Sequence, residues 1–214
     1  EHRKFLRGVA ALLTLALLLG ITACATPATS PATGASPTAG DTTTAATDTR
    51  TVLDQAGRTV ELPAQVETAA LIYGVATNFI IALGAGDRLI AINATWGFFN
   101  DIVPSLATAG TVGRGSVDYE ALASYNPDVF IHKASDPQTL EAVTAMGIPA
   151  VGISPESTED ILQTMMLLGQ VFGKEDRAAQ LVAFYKDKVA FVEGKVADIA
   201  QDQRKSAILM GTEL

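Results

Sequence analysis

VDYEALASYNPDVFIH, residues 117–132, decides the fold, because a helix, a stop and a strand follow one another within it. Ser116 and Asp118 are both N-cap candidates for a helix over 116–126, and Pro127 ends it. DVFIH (128–132) is then a short apolar run of strand character. The same alternation extends in both directions. Downstream, PQTLEAVTAMG (137–147) reads as a helix and PAVGI (149–153) as a strand. STEDILQTMMLLGQVFG (157–173) reads as a helix with Ser157 or Thr158 as cap and carboxylates in its first turn. Upstream, TAALIY (68–73) and RLIAI (88–92) are strand runs on either side of a helical ATNFIIALG (76–84). TVLDQAGRTVEL (51–62) has two β-prone runs around Asp54–Arg58, a hairpin signal. Short apolar strands separated by helices imply βαβ units, hence an α/β fold with a parallel sheet and helices on both faces.

Both ends of the chain read differently. Beyond residue 173 the pattern becomes one long helix, expected over 173–205, whose apolar face includes Leu181, Phe184, Val189, Val192 and Val196. At 1.5 Å per residue it would extend about 45 Å, more than one small sheet needs. SAILMGTEL (206–214) has the character of a fresh strand, the expected start of a truncated second lobe. At the other end, Arg3, Lys4 and Arg7 precede the apolar GVAALLTLALLLGITA (8–23), which has the pattern of a signal peptide; a permanent transmembrane anchor is the alternative. Residues 25–50 are Thr, Ala, Pro, Ser and Gly with almost no large apolar side chain, a composition that cannot offset its ordering entropy. As a flexible coil this segment would span roughly 25–30 Å.

Cys24 is the only cysteine, so no disulfide within the chain is possible, and a catalytic thiol would want an electropositive pocket and a histidine partner. ITAC (21–24) resembles the lipobox of bacterial lipoproteins, which implies cleavage before Cys24 and lipidation of its sulfur. Two or three acyl chains would anchor stably where one would not. Residues 1–23 carry a net +2, so the remainder carries −10 against −8 for the whole chain. Such an acidic domain is poorly suited to nucleic acid, whose binding needs phosphate neutralisation.

AGRTVELP, ALGAGDRLIAI, VDYEALASYNPDVFI, GIPAVGI and LGQVFGKEDRAAQLV occur in that order within residues 56–182, and the likeness they carry covers residues 51 to about 211. This ordered set resembles the substrate-binding lipoproteins of ABC importers, in the class serving ferric siderophores, haem, cobalamin and some oxyanions. The resemblance implies two α/β lobes joined by one long helix, with ligand between them. It divides this chain into a signal (1–23), a lipidated cysteine and tether (24–50), an N-terminal ligand-binding lobe (51–172), an interlobe helix (173–205) and the first strand of a second lobe (206–214). It implies an extracytoplasmic, lipid-anchored receptor that hands a metal chelate to an ABC permease and its ATPase, a ferric siderophore foremost, with haem, cobalamin, molybdate or tungstate as alternatives. No catalytic residues and no resident cofactor are expected.

The chemistry legible in the residues agrees. There is no HExxH, GxSxG or CxxC motif and no EF-hand loop. GAGDRL (84–89) follows a helix and precedes a strand, the reverse of a dinucleotide-binding loop. Of the two histidines, His2 lies in the signal, and His132 alone cannot build a site for a bare divalent metal. A chelated metal or an oxyanion needs only shape, aromatic surface and hydrogen-bond donors.

Open parallel sheets bind ligands beyond the carboxyl ends of their strands. The candidates there are Tyr73, Thr77 and Asn78 after the first strand, Asn93 and Trp96 after the second, Arg114 and Ser116 in TVGRGS, and Lys133 after the third. Phe98 and Phe99 read as core, and His132 as a strand-end hydrogen-bonding residue. Asp118 and Glu120 suit a helix N-terminus better than a catalytic pair. The rival functions are a tethered lipoprotein hydrolase, which would need a nucleophile–base or carboxylate pair, and a sensor or adhesion module on the same fold.

Overall fold

The computed structural model describes residues 48–93 and 97–208. The expected signal, Cys24, most of the tether and Trp96 lie outside the described residues.

The stretch 117–132 folds as its residues dictate. Asp118 is the N-cap, its Oδ1 accepting the Ala121 N–H at 3.0 Å, and the helix runs Tyr119–Tyr125. Asn126 takes the left-handed conformation (φ 44°), its N–H returning to the Leu122 carbonyl, and Pro127 forbids a further turn. The strand Val129–Lys133 follows.

In chain order the strands are β1 (Thr49–Leu53), β2 (Thr59–Pro63), β3 (Ala69–Leu71), β4 (Leu89–Ile92), β5 (Gly110–Thr111), β6 (Val129–Lys133) and β7 (Ala150–Ile153). The helices are α1 (Val75–Ala82), α2 (Tyr119–Tyr125), α3 (Pro137–Ala145), α4 (Thr158–Phe172) and α5 (Glu175–Val196). β3 to β7 form one sheet in the order β5-β4-β3-β6-β7, every neighbouring pair parallel. The expected α/β architecture is therefore present. β5 escaped the sequence reading because two residues, Gly110 and Thr111, carry no hydrophobic run to announce a strand.

Strand alternation sorts the side chains into two cores. Leu71, Ile131, Val151 and Ile153 face α1, α4 and the β1–β2 hairpin, packing with Ile80, Leu168, Val171 and Phe172. Ala70, Ala91, Phe130 and Ala150 face α2 and α3, packing with Leu122, Leu140 and Val143. Burying each of the larger side chains contributes about 1.5–3 kcal/mol, which makes the sheet the rigid part of the fold.

The hairpin seals the β7 edge. Asp54, 4 % exposed, accepts N–H groups from Ala56, Arg58 and Gly152 at 3.0, 2.8 and 3.0 Å, and its carboxylate pairs with the Arg58 guanidinium at 2.6 Å. Gln55 donates its N–H to the Gly152 carbonyl and accepts from the Ser154 N–H and the Thr164 hydroxyl. An edge strand that would otherwise offer unpaired backbone groups is thus covered.

Three boundaries differ from expectation. β1 begins at Thr49, so Arg50 belongs to the folded part and not to a tether over 24–50. Its guanidinium donates to the carbonyls of Ala64, Gln170 and Val171, tying the hairpin to the C-terminus of α4. The helix expected over 173–205 is shorter: Gly173, left-handed at φ 62°, separates α4 from α5, and α5 ends at Val196. Its 22 residues extend about 33 Å. Ala178 is its one buried residue, so apolar spacing beyond residue 196 has no packing among the described residues to hold it helical. Of the strand expected at 206–214, Ser206–Ile208 are exposed and in no strand, and the rest lies outside the described residues.

Candidate ligand-binding site

The strand order creates the site. The chain leaves β3 towards β4 and β5 on one side, then returns to β6 and β7 on the other. The connection after β3 enters α1 on one face, whereas the connection after β6 enters α3 on the opposite face. Loops that diverge in this way mark the carboxyl ends of β3 and β6 as the switch point at which such sheets accept ligands.

Tyr73 and Gly74 sit at its centre, between β3 and α1. Tyr73 is half-buried, and its phenol pKa is raised, first by burial and then by the Glu156 carboxylate. It is therefore a neutral hydroxyl able to donate or accept a hydrogen bond. Thr77 is 1 % exposed and packs inward from the first turn of α1, away from the surface on which it was expected. Asn78 is exposed, its amide reaching only the Val75 carbonyl at 3.4 Å. Asn93 is half-buried directly after β4. Phe99, 3 % exposed, is core as expected.

Beyond β5 the chain makes a tight loop. Gly113 has φ 124° and Gly115 φ 82°, and a bridge from Gly113 to Val117 closes the turn. A Cβ at Gly113 would run into the Ser116 carbonyl oxygen, so the turn requires glycine there. Arg114 and Ser116 are carried outward on this loop, both exposed. Arg114 makes no hydrogen bond or ion pair among the described residues. Lys133, the last residue of β6, is exposed and equally unpaired.

His132 faces the opposite way, into the α2–α3 core, with its ring 5.8 Å from that of Phe130. Burial lowers its pKa, outweighing the opposing effect of Asp136. The neutral ring donates Nε2–H to Asp136 Oδ2 at 3.0 Å and leaves Nδ1 as a buried, unpartnered lone pair. Asp136 also caps α3, accepting the Thr139 N–H and hydroxyl, and its pKa is lowered chiefly by the His132 bond. This fixes the loop that follows Lys133. The role expected for His132, hydrogen bonding at a strand end, matches this geometry.

One part of the site was missed. Ser154, Pro155 and Glu156 follow β7 on the same sheet edge, and Glu156 is exposed close enough to Tyr73 to perturb it. Reading the residues after each strand, carried on past PAVGI, reaches them.

Among the described residues no group of three His, Cys, Asp or Glu side chains could hold a metal ion, and no helix is long and apolar enough to cross a membrane. A mainly apolar groove of about 670 Å³ lies at the other end of the sheet, between β2 and the start of β7. Arg58, its basic residue, is already bound to Asp54 and to the Ala150 carbonyl, so it offers no free group of the kind found beyond β5 and β6.

The sequence model of the periplasmic binding protein family matches residues 70–213. An uncharacterised ABC transporter substrate-binding lipoprotein of Bacillus subtilis is 26 % identical, the match covering 62 % of this chain and 43 % of the relative. The molybdate-binding protein of Haemophilus influenzae is 22 % identical, over 77 % of this chain and 55 % of the relative. The crystal structure of a periplasmic solute-binding protein from Veillonella parvula superimposes with a TM-score of 0.68 at 25 % identity, covering 72 % of this chain and 50 % of that one. The chain thus spans about half the length of the curated relatives it matches.

Proposed function

From the premise that this chain belongs to the periplasmic binding protein family, we propose that it is the ligand-capturing component of an ABC importer. In this reading it binds a chelated metal or a metal oxyanion outside the cytoplasm and passes it to a permease driven by an ATPase. The observation that carries the reading is the carboxyl edge of the sheet, where Tyr73, Asn93, Arg114, Ser116 and Lys133 follow the strands about the switch point and offer hydrogen-bonding groups and two cations unpaired among the described residues. Such groups suit a ligand whose metal is already coordinated, because they supply donors and charge and no metal-ligating set. Asn78 stands beside them on α1, and Trp96 completes the candidate set from the sequence. The names of the relatives support the cargo class: one is described as molybdate-binding and another, from Bacillus subtilis, as an iron-uptake system-binding protein.

The reading places the folded lobe at a membrane through lipid on Cys24, as the ITAC sequence implies. Palmitate labelling of the parent chain, lost in Cys24→Ser, is the expected result. The function is tested by titrating the full-length chain with ferric siderophores, haem, cobalamin, molybdate and tungstate. Saturable binding of one of these is expected; a folded protein silent across the panel would overturn the reading.

A further inference from the structure

The β1–β2 hairpin seals the edge of β7, yet its own outer edge stays open. Hydrogen bonds at its two ends fix which way each residue turns. The Asp54 N–H reaches the Arg58 carbonyl beside the turn, and the Ala64 N–H reaches the Asp48 carbonyl at the open end. The register between them is unbroken, so Arg58, Val60, Leu62 and Ala64 turn their backbone groups towards β1. Thr59 and Glu61 therefore turn theirs away, and no hydrogen bond among the described residues engages them. Both residues are exposed. Pro63, which has no N–H, ends the open run.

This edge borders the groove of about 670 Å³ between β2 and the start of β7. The buried Val60, Ile148 and Ala150 line it, and the last turns of α3 form its other wall. Its charge is one-sided. Glu61 and Glu141 are exposed and make no ion pair or hydrogen bond among the described residues. Arg58, the one cation among the described lining residues, is held by Asp54 and the Ala150 carbonyl. Open backbone donors and acceptors beside an apolar trough are what an added strand pairs with. Two free carboxylates then select the charge of what is added. A second copy of this chain meeting edge to edge would bring like charges together.

We propose that β2 and this groove receive an extended, basic segment of a partner protein, added as a strand along Thr59–Glu61. Its apolar side chains lie over Val60, Ile148 and Ala150, and its lysines or arginines beside Glu61 and Glu141. Backbone bonds set the register, and the carboxylates set the preference for a basic segment. The groove lies at the opposite end of the sheet from the switch point, so partner and captured ligand do not compete for one surface.

The test uses the full-length chain and three fluorescent peptides: a pentapeptide alternating lysine and valine, its glutamate–valine counterpart, and the lysine–valine peptide with every backbone amide N-methylated. Binding is read by anisotropy and by hydrogen exchange at the Thr59 and Glu61 amides. The chains compared are the parent, Glu61→Gln, Glu141→Gln and Glu61→Pro, with thermal melts to confirm that they fold alike. Glu61 donates nothing to β1, so proline there leaves the hairpin ladder intact. The lysine peptide should bind and slow exchange at both amides, the other two binding at least about tenfold more weakly. Each glutamine variant should weaken it about two- to fivefold, and Glu61→Pro about tenfold or more. Equal binding of the glutamate or methylated peptide would overturn the proposal, as would a folded Glu61→Pro that binds no more weakly than Glu61→Gln. Should proline unsettle the hairpin, the methylated peptide decides the same point. A folded parent chain that binds no lysine peptide would also overturn it. So would a concentration-dependent dimer protecting the same two amides, which would assign the edge to a second copy of this chain.

Discussion

The two edges of the sheet use the same residue type to opposite ends. At the β7 edge Arg58 is locked: its guanidinium holds Asp54 and the Ala150 carbonyl, and Asp54 and Gln55 of the same turn bind the backbone of Gly152 and Ser154. At the β5 edge Arg114 stands between two left-handed glycines with no hydrogen bond or ion pair among the described residues. The first arginine closes a strand that would otherwise invite another chain. The second is presented on a loop whose backbone conformation exists only because Gly113 lacks a Cβ. A satisfied polar network is structure, and an unsatisfied, well-positioned one is a place for something to bind.

The sharpest way to break the contrast is to remove the carboxylate that locks Arg58. Asp54→Ala leaves five N–H donors without their acceptor and a charge without its partner, and should cost about 3–5 kcal/mol. In a domain of this size that lowers Tm by roughly 8–15 °C. Thermal or urea unfolding measures it; a loss below about 1 kcal/mol would mean that the sealed edge is not held in this way. At the other edge, Gly113→Ala forces a Cβ against the Ser116 carbonyl, at a backbone conformation costing about 1–3 kcal/mol. It should also weaken ligand capture by displacing Arg114, and unchanged stability and affinity together would show that the loop is not set by Gly113.

Between the edges, His132 sets a pH dependence. Its folded pKa is lowered, so the unfolded chain takes up the proton first, and stability falls as pH drops below about 6.5. Asp136, also lowered, adds its own loss only where carboxylates titrate, below about pH 4. His132→Phe should therefore flatten the stability profile between pH 7 and 5, and a slope identical to the parent would contradict the assignment. The smallest expected effect is that of Arg114→Gln on folding, within about 0.5 kcal/mol. A larger loss would place Arg114 in the same structural class as Arg58.

How far the sequence showed this depended on what each residue does locally. Asp118, Asn126 and Pro127 determine α2 and its end by their own chemistry, so that segment was legible to within a few residues. Runs such as LIAI and VFIHK announce buried strands. β5 was invisible because its two residues acquire strand character only from pairing with β4. The end of α5 was misjudged because apolar spacing continues past Val196 while burial does not. Among the candidate residues, the exposure of Arg114 was legible from its flanking glycines. Thr77 was not, because whether a residue in the first turn of a helix faces ligand or core depends on how the helix lies on the sheet. Glu156 became a candidate only once strand order brought the end of β7 beside β6.

The central claim is that ligand is received at the carboxyl edge of the sheet and not in the groove at its other end. Hydrogen exchange of the full-length chain, with and without whichever chelate or oxyanion of the panel binds, tests it most directly. Added protection is expected at residues 73–78, 113–118 and 133–136, with no change at 58–61 and 144–150. Protection confined to 58–61 and 144–150 would contradict the account.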